Sequence, residues 1–365
     1  MGCASSSEET LPVKEDEKKT ENIKKIKSLG KGNFGEVFLI KSKLDKKKSA
    51  LKEIPIKNKN IDLIMNEGDN LKELDHPNLI FYKSVFIAND ILNVITEYAE
   101  NGDLNNELLK HKEQNKYFDE NQLLNWLMQI CLSLQYIHEK RMVHSDIKPS
   151  NIFITKKNNI KLGDFGIFKR ILDFEEEKLY GAPELIKKNE YTTKADIWSL
   201  GVTFSHLLTL EYPFEGKNKD EIYKNITKGE KKNYSEEILK KYSKEFLDLI
   251  DEMMSLDPKK RPSADEILKK NISKKRMNEY LKENDFDDKK NNEANVDIQQ
   301  YAKKNLKFKE SIFIIDDDFK NDENDDDDDD EKEDKEESQN KDDKDNYDFI
   351  RQMSMIYDQN KKKIN

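Results

Sequence analysis

Cysteine is nearly absent from this chain of 365 residues, which contains only Cys3 and Cys131. Two cysteines cannot make a disulfide framework, so they indicate a protein that folds in a reducing compartment. The sequence also lacks any run of about 18 apolar residues and any basic-then-apolar leader, which argues against a membrane-spanning helix and a secretory signal peptide. Apolar residues make up 35% of the chain and charged residues 38%, so part of it has too little apolar surface to fold.

Charge is distributed unevenly along the chain. Residues 316–345 contain 19 acidic residues and 5 lysines, a net charge of -14, whereas the whole chain has -10. We therefore expect a mostly disordered acidic tail over 282–365, in which the block Asp325–Asp330 repels itself. The tail is a candidate for binding basic partners. We also expect a flexible arm at 1–22 and a folded domain at 23–281.

Hydrophobic periodicity divides the folded domain into two parts. Early in the domain, β-rich runs at 37–40 and 91–98 surround one helical stretch at 61–74. From about 116 to 281 the pattern is mainly helical, with an apolar stripe at i, i+3, i+4 and i+7 spacing. That stripe consists of Leu123, Leu124, Leu127, Ile130, Leu134 and Ile137. The sequence predicts an α+β fold with a small β-rich N-lobe at about 23–98 and a large helical C-lobe at about 99–281.

A glycine-rich stretch lies between two of the β-like runs. Glycines allow backbone N–H groups to approach a phosphate closely, although glycine-rich hairpins with a purely structural role are equally common. This stretch continues into a strand and not into a helix, which argues against a dinucleotide-binding or Walker-type loop. Its residues are Gly30, Lys31, Gly32, Asn33, Phe34, Gly35, Glu36 and Val37.

A lysine in an apolar setting follows, in Ala50-Leu51-Lys52. Taken alone, a surface position is the commoner explanation in a chain so rich in lysine. A buried lysine would need an anionic partner, because an unpaired buried charge is very costly. Glu67, on the predicted helix at 61–74, is available as that partner.

The most informative stretch is 143–166. Asp146 is followed by Lys148 two residues on, by Asn151 five residues on and by Asp164 eighteen residues on. This spacing suits phosphoryl transfer to a hydroxyl group. In that chemistry one carboxylate orients the hydroxyl, while a second carboxylate and an amide oxygen hold Mg²⁺ on the phosphates.

With these motifs the chain resembles the protein kinase family over 23–281, in unbroken motif order. The resemblance implies an ATP- and Mg²⁺-dependent enzyme that phosphorylates protein substrates. Lys52, paired with Glu67, would hold the α- and β-phosphates, Asp146 would be the catalytic base and Lys148 would contact the γ-phosphate. The implied metal ligands are Asn151 and Asp164, and the implied ATP-binding residues are Gly30, Lys31, Gly32, Asn33, Phe34, Gly35, Val37, Ala50, Lys52, Glu67, Thr96, Glu97, Ala99, Asp103 and Phe153.

Finer features of the resemblance concern the branch of the family. Lys148 indicates the Ser/Thr kinases, and the strings at 151–155 and 161–167 are similar to those of the NIMA-related (NEK) kinases. The resemblance also implies a buried ion pair between Glu184 and Arg261, and a role for Asp196 in anchoring the catalytic loop. It implies no binding of nucleic acid.

Two departures from the family bear on regulation. Ser145 stands where the family usually has an Arg that holds a phosphorylated activation loop, and residues 164–184 contain no Ser or Thr. Glu177 lies near the position of a substrate-facing Thr, beside Glu175 and Glu176. We expect an active enzyme whose loop is not switched by Ser/Thr phosphorylation. The alternative is a weakly active or inactive kinase-fold scaffold at a membrane.

The N-terminal sequence matches the myristoylation pattern M-G-x-x-x-[ST] in Met1-Gly2-Cys3-Ala4-Ser5-Ser6. One myristoyl chain binds a bilayer only marginally, so we expect palmitoylation of Cys3 in addition to myristoylation of Gly2. A polybasic signal within the arm is unfavourable because Glu8 and Glu9 follow at once. An unmodified arm is the alternative. The expected location is the cytoplasmic face of a membrane, such as the plasma membrane, with a cytoplasmic pool.

Overall fold

A computed structural model describes residues 22–32, 34–43, 46–56, 61–172 and 178–283. These residues belong to one compact unit of the chain. The predicted arm and acidic tail fall almost entirely outside the described residues, together with Asn33, Glu175, Glu176 and Glu177.

Five antiparallel strands form the sheet of the N-lobe, in the order β1-β2-β3-β5-β4. A single helix, α1 (Ile61–Lys72), contacts this sheet at β4, where a Cβ added to Gly68 would lie 2.6 Å from Val85 Cγ1. Glycine at this position therefore allows the helix to approach the sheet closely. The strands are β1 (Ile23–Gly32), β2 (Gly35–Ser42), β3 (Lys48–Pro55), β4 (Tyr82–Ala88) and β5 (Ile91–Thr96).

Helices dominate the C-lobe, as the apolar periodicity predicted. Most of them begin at a side chain that caps the free N–H groups of the first turn, as Asp119 does for α3 and Thr192 for α6. The helices are α2 (Leu104–Glu113), α3 (Glu120–Glu139), α4 (Ile167–Ile171), α5 (Pro183–Lys188), α6 (Thr193–Thr209), α7 (Lys219–Lys228), α8 (Glu236–Lys241), α9 (Lys244–Met253), α10 (Ala264–Lys269) and α11 (Asn271–Glu283).

The core of the C-lobe lies around α3 and α6. All six residues of the predicted apolar stripe are buried on α3, and α6 buries Trp198 and Phe204 completely. A short hairpin of β6 (Ile152–Ile154) and β7 (Ile160–Leu162) packs against α3 and separates the two halves of the motif at 143–166. Among the described residues, no helix combines the length and apolar character needed to cross a bilayer.

Candidate active site

The segment before Asp146 is held by a buried carboxylate of α6. Asp196 is only 1% exposed, and its two carboxylate oxygens accept the backbone N–H groups of His144 and Ser145, each at 2.9 Å. His138 Nε2 lies 2.9 Å from the same carboxylate. Burial lowers the pKa of His144, whose ring packs against Phe165 with centroids 4.5 Å apart. Asp196 thus anchors the segment before Asp146 to the helical core, as the resemblance implied.

The predicted catalytic residues form one cluster. Asp146 Oδ1 lies 2.9 Å from Lys148 Nζ, and its Oδ2 accepts a 2.6 Å hydrogen bond from Asn151 Nδ2. The same amide nitrogen donates to the Asp146 backbone carbonyl at 2.7 Å. Because Asn151 is buried and its NH₂ group is used in this way, the amide oxygen is turned away from Asp146. The cluster fixes one carboxylate beside one cation, which is the arrangement needed to orient a hydroxyl and stabilise an anion next to it.

Hard oxygen donors for a cation lie beside this cluster. The Gly163 backbone N–H donates to the Asn151 carbonyl at 3.0 Å, which places Asp164 next to Asn151. Mg²⁺ prefers oxygen ligands and commonly binds one or two protein carboxylates together with substrate phosphates. The donor set of Asn151 and Asp164 fits that ion, and no group of three or more His, Cys, Asp or Glu in the described residues forms a separate metal cage.

The glycine-rich stretch forms the turn between β1 and β2, where Gly32 and Gly35 are register partners. Gly35 has φ +133°, and an added Cβ would lie 2.0 Å from the Glu53 carbonyl oxygen. Only glycine fits this position without moving β3. Asn33, which was also predicted to bind ATP, lies outside the described residues.

The partner of Lys52 differs from the prediction. Lys52 forms its ion pair with Asp164, and the Lys52–Glu67 pair is not formed in the described residues. Glu67 is buried on α1 and its carboxylate accepts a long 3.5 Å contact from Asn70 Nδ2. The predicted partner is thus present on the expected helix, but Lys52 is engaged by the predicted metal ligand.

A short helix lies beside this ion pair. α4 follows Gly166 directly and contacts α1, and the buried side chains of Phe168 and Leu172 line one cavity together with Lys52 and Phe165. Apolar groups from the loop thus share the space beside Lys52, on the side of the sheet that α1 covers. Arg170, near the end of α4, stacks over the Tyr191 ring with its guanidinium carbon 4.5 Å from the ring centroid. Burial lowers the pKa of Arg170, while Glu67 is one of the charges that oppose this shift.

Tyr82 is a site residue that sequence analysis missed. Its hydroxyl accepts a 3.4 Å hydrogen bond from the backbone N–H of Phe165, and the two rings meet edge to face with centroids 6.3 Å apart. Burial and the nearby charge of Asp164 raise the pKa of the hydroxyl. The available signal was weak, because only the sheet register, with Tyr82 opposite Thr96, places this ring beside the predicted ATP-binding residues.

The predicted adenine-binding residues lie where the lobes join. Ala50 is paired with Thr96 across β3 and β5, and Asp103 forms a bridge with Phe153. Glu97 Oε1 accepts hydrogen bonds at 2.8 Å from Phe81 N and from Lys161 Nζ, so its carboxylate is already used for structure.

Asp103 also has a structural role. Asp103 caps α2 by accepting from Asn106 N at 2.8 Å, and burial raises the pKa of its carboxyl group. Val37 and Ala99 complete the set; Val37 lies on β2 and Ala99 three residues after the end of β5.

Glu184 and Arg261 form a buried ion pair. Arg261 is 1% exposed and binds Glu184 through two hydrogen bonds of 2.6 and 2.9 Å. Its remaining donors reach the carbonyl groups of Ser255 and Lys194, and its guanidinium lies over Trp198. The pair, separated by 77 residues in sequence, is formed as predicted.

Ser145, which stands where the family usually has an arginine, has a left-handed backbone conformation and a buried hydroxyl group. Ser145 adopts the left-handed region with φ +64°, and its Oγ is buried without a hydrogen-bond partner among the described residues. A Cβ added to Gly166 would lie 2.7 Å from that oxygen, so the loop after Asp164 packs directly on the serine.

Comparison with known proteins agrees with this geometry. The family model of the protein kinase domain matches residues 23–272. The chain belongs to the protein kinase family. A probable serine/threonine-protein kinase of Dictyostelium discoideum, nek3, is 40% identical over 276 residues, and the mouse serine/threonine-protein kinase Nek1 is 33% identical over 272 residues. The resemblance to the NIMA-related kinases is therefore confirmed.

Coverage of these relatives is partial. Each alignment includes 72% of this kinase chain but only 24% of nek3 and 22% of Nek1. A crystal structure of Rad53 residues 1–466 in complex with AMP-PNP is 30% identical, with a TM-score of 0.60, and covers 68% of this chain and 64% of that one. The predicted two-lobed α+β kinase fold is confirmed.

Proposed function

We propose that this chain is a protein-serine/threonine kinase that uses ATP and Mg²⁺. The observation that carries the proposal is the Asp146 cluster, in which Lys148 and Asn151 contact the carboxylate at 2.9 and 2.6 Å. Asp196 holds the segment before Asp146 through a hydrogen bond from a backbone N–H group. A protein that only binds partners has no need of this arrangement.

The side chains divide the reaction among them. Asp146 would accept a hydrogen bond, and then the proton, from the substrate hydroxyl, while Lys148 would stabilise the charge on the transferred phosphoryl group. Asn151 and Asp164 would hold Mg²⁺, which neutralises charge on the phosphates. The N–H groups of the turn at Gly32 and Gly35 would cover the same phosphates.

Lys52 has to change partner before it can hold the nucleotide. Its ion pair with Asp164 uses the carboxylate proposed for the metal and the ammonium proposed for the phosphates. We infer that this is a resting arrangement. Movement of α4 out of the cavity would allow α1 to bring Glu67 to Lys52 and would release Asp164.

Phosphate transfer to a generic protein substrate tests this proposal directly. We expect transfer by the wild-type chain in the presence of ATP and Mg²⁺, and loss of at least a hundredfold in Asp164→Ala, which removes a metal ligand. Asp248→Ala, at an exposed carboxylate of α9, is the matched control and should keep full activity. Absence of transfer from wild type, or equal transfer by Asp164→Ala, would favour the inactive scaffold instead.

We further propose that the chain is tethered to a membrane by myristoylation of Gly2 and palmitoylation of Cys3. Both residues lie outside the described part of the chain, and the sequence match at the terminus is what supports the proposal. In cell fractionation, Gly2→Ala should be wholly soluble, whereas Cys3→Ser should show washable membrane association because one acyl chain is a weak anchor. Equal membrane recovery of wild type and Gly2→Ala would contradict the tether.

We also propose that phosphorylation of the segment between Asp164 and Glu184 does not control the activity of the enzyme. Tyr180 carries the only side-chain hydroxyl in the sequence between Asp164 and Glu184. This hydroxyl lies 2.9 Å from His206 Nδ1 in a partly buried aromatic cluster. We expect phosphatase-treated enzyme to keep its activity, and charge reversal of Glu175, Glu176 and Glu177 to lower it. Loss of activity on dephosphorylation, with the lost phosphate located on Tyr180, would refute this proposal.

A further inference from the structure

The N-lobe sheet concentrates positive charge at one end. Residues 22–56 contain ten lysines and three acidic residues, whereas residues 99–283 contain 33 basic and 32 acidic residues. The C-lobe is therefore nearly neutral although it is rich in lysine. General lysine richness does not account for the imbalance in the first three strands.

The register of the sheet aligns three of these lysines. Lys41 of β2 is the direct partner of Lys24 on β1 and of Lys48 on β3, so the three stand side by side across the strands. Directly opposed side chains in a sheet have Cβ atoms about 5 Å apart, and like charges at that distance repel. All three side chains are exposed, and none forms an ion pair or hydrogen bond with a described residue. We call Lys24, Lys41 and Lys48 the lysine row.

The turn between β2 and β3 extends the lysine row. Lys43 and Lys46 are exposed there, and they too lack a side-chain partner among the described residues. By contrast, Lys25 on β1 is neutralised by Glu53 at 2.7 Å. Lysines on an edge strand are a common means of preventing sheet aggregation, and β1 is an edge strand. Lys41 and Lys48 stand on inner strands, so edge protection does not explain them.

The N-terminal arm enters the fold at this same place. The Lys43 backbone N–H donates to the Asn22 carbonyl at 2.9 Å, and Ile23 is paired with Ser42. Asn22, the first described residue, therefore lies beside the lysine row.

We propose that the lysine row, with Lys43 and Lys46, docks the N-lobe onto an anionic phospholipid surface. The ligand is the negatively charged headgroup, and unpaired lysines attract it because each one contributes near such a surface without first losing a protein partner. The proposal deepens the membrane location proposed above, but it rests on different residues and needs no acyl chain.

Docking in this way leaves the catalytic cleft open. The lysine row and the glycine-rich turn lie at opposite ends of the β1–β2 hairpin, and six residues separate Gly35 from Lys41. At about 3.3 Å per residue these ends are about 20 Å apart. A bilayer at the lysine row would therefore not cover the phosphate-binding turn.

Vesicle sedimentation of unacylated full-length protein tests the proposal. The Gly2→Ala chain should pellet with phosphatidylcholine vesicles containing about 30% phosphatidylserine, but not with pure phosphatidylcholine, and salt should weaken the binding. Replacing the lysine row by Lys24→Gln, Lys41→Gln and Lys48→Gln should weaken it roughly a hundredfold, since each lysine contributes about a fivefold factor.

The matched control removes the same charge elsewhere. Lys259→Gln, Lys274→Gln and Lys275→Gln change three exposed C-lobe lysines that have no ion pair among the described residues, and this variant should bind like the parent. The row variant should unfold no more easily than the parent, because it relieves repulsion, and should phosphorylate soluble substrate normally.

Several results would overturn the proposal. These are equal binding by the row variant and the parent, equal losses in both triple variants, or equal binding to neutral and anionic vesicles. Binding to an RNA oligonucleotide without binding to the anionic vesicles would assign the row to nucleic acid instead. Because unacylated protein is used, none of these results would bear on phosphoryl transfer or on acylation.

Discussion

Gly35 shows how a single backbone position shapes the glycine-rich turn. Its φ of +133° and the 2.0 Å approach of an added Cβ to the Glu53 carbonyl leave no room for a side chain. We expect Gly35→Ala to lower the free energy of unfolding by at least about 2 kcal/mol and to raise the KM for ATP. Denaturant unfolding and initial rates measure the two effects.

The neighbouring glycine provides the control for this prediction. Gly32 has nothing within 4 Å of an added Cβ and no positive φ. Gly32→Ala should therefore change stability by less than about 1 kcal/mol. Equal unfolding midpoints for the two variants would show that the turn tolerates a side chain at 35.

The ion pair of Glu184 and Arg261 allows a second prediction at the residue scale. Arg261 is 1% exposed, so Glu184→Gln would leave a buried guanidinium with carbonyl partners but no counter-charge. We expect a loss of about 3–5 kcal/mol in the free energy of unfolding. The double variant Glu184→Leu with Arg261→Met should lose less than the two single variants together, and strict additivity would contradict this coupling.

At the scale of elements, α4 lies beside Lys52 and contacts α1, the helix that carries Glu67. Its apolar residues are visible in the sequence, but their periodicity does not reveal that a five-residue helix packs against α1. That contact joins residues about 100 positions apart. The sequence therefore predicted Lys52, Glu67 and Asp164 as site residues, but the structure pairs Lys52 with Asp164 and not with Glu67.

Weakening the packing of α4 should favour the active arrangement. Leu172 is 4% exposed in the cavity beside Lys52, and burial of a leucine contributes about 2 kcal/mol. Leu172→Gln should therefore raise the initial rate of phosphoryl transfer several-fold, measured at saturating ATP. Leu239→Gln, at an exposed position of α8, is the control. A lower rate in Leu172→Gln would mean that the residue supports the active state instead.

For the whole molecule, two partly buried histidines predict a dependence of stability on pH. Burial lowers the pKa of His76 and of His206 to about 4, against an ordinary value of 6.5 in the unfolded chain. Between these values the unfolded chain binds protons that the folded chain does not. The stability due to burying neutral histidine is therefore fully present above pH 6.5 and is lost as the pH falls towards 4.

Denaturant unfolding from pH 7 to pH 4.5 measures this effect. Each histidine should contribute a slope of up to about 1.4 kcal/mol per pH unit in that window. Replacing His206 by Asn removes one titrating group and should make the loss of stability shallower by that amount. Identical pH profiles for wild type and His206→Asn would rule out this contribution.

The amino-acid sequence by itself predicted the fold class, which is confirmed, and a set of candidate catalytic residues. Apolar spacing within one element identified the stripe of α3, and fixed short separations identified Asp146, Lys148, Asn151 and Asp164. These features are local, because they depend on residues that a single turn, strand or helix brings together.

Only the tertiary structure decided which groups meet. The pairing of Lys52 with Asp164, the contact of Tyr82 with Phe165 and the alignment of Lys24, Lys41 and Lys48 each join different elements. Each depends on strand register or on the packing of one helix against another. A shift of one residue in register moves every side chain of a strand to the other face, so local patterns do not fix such contacts.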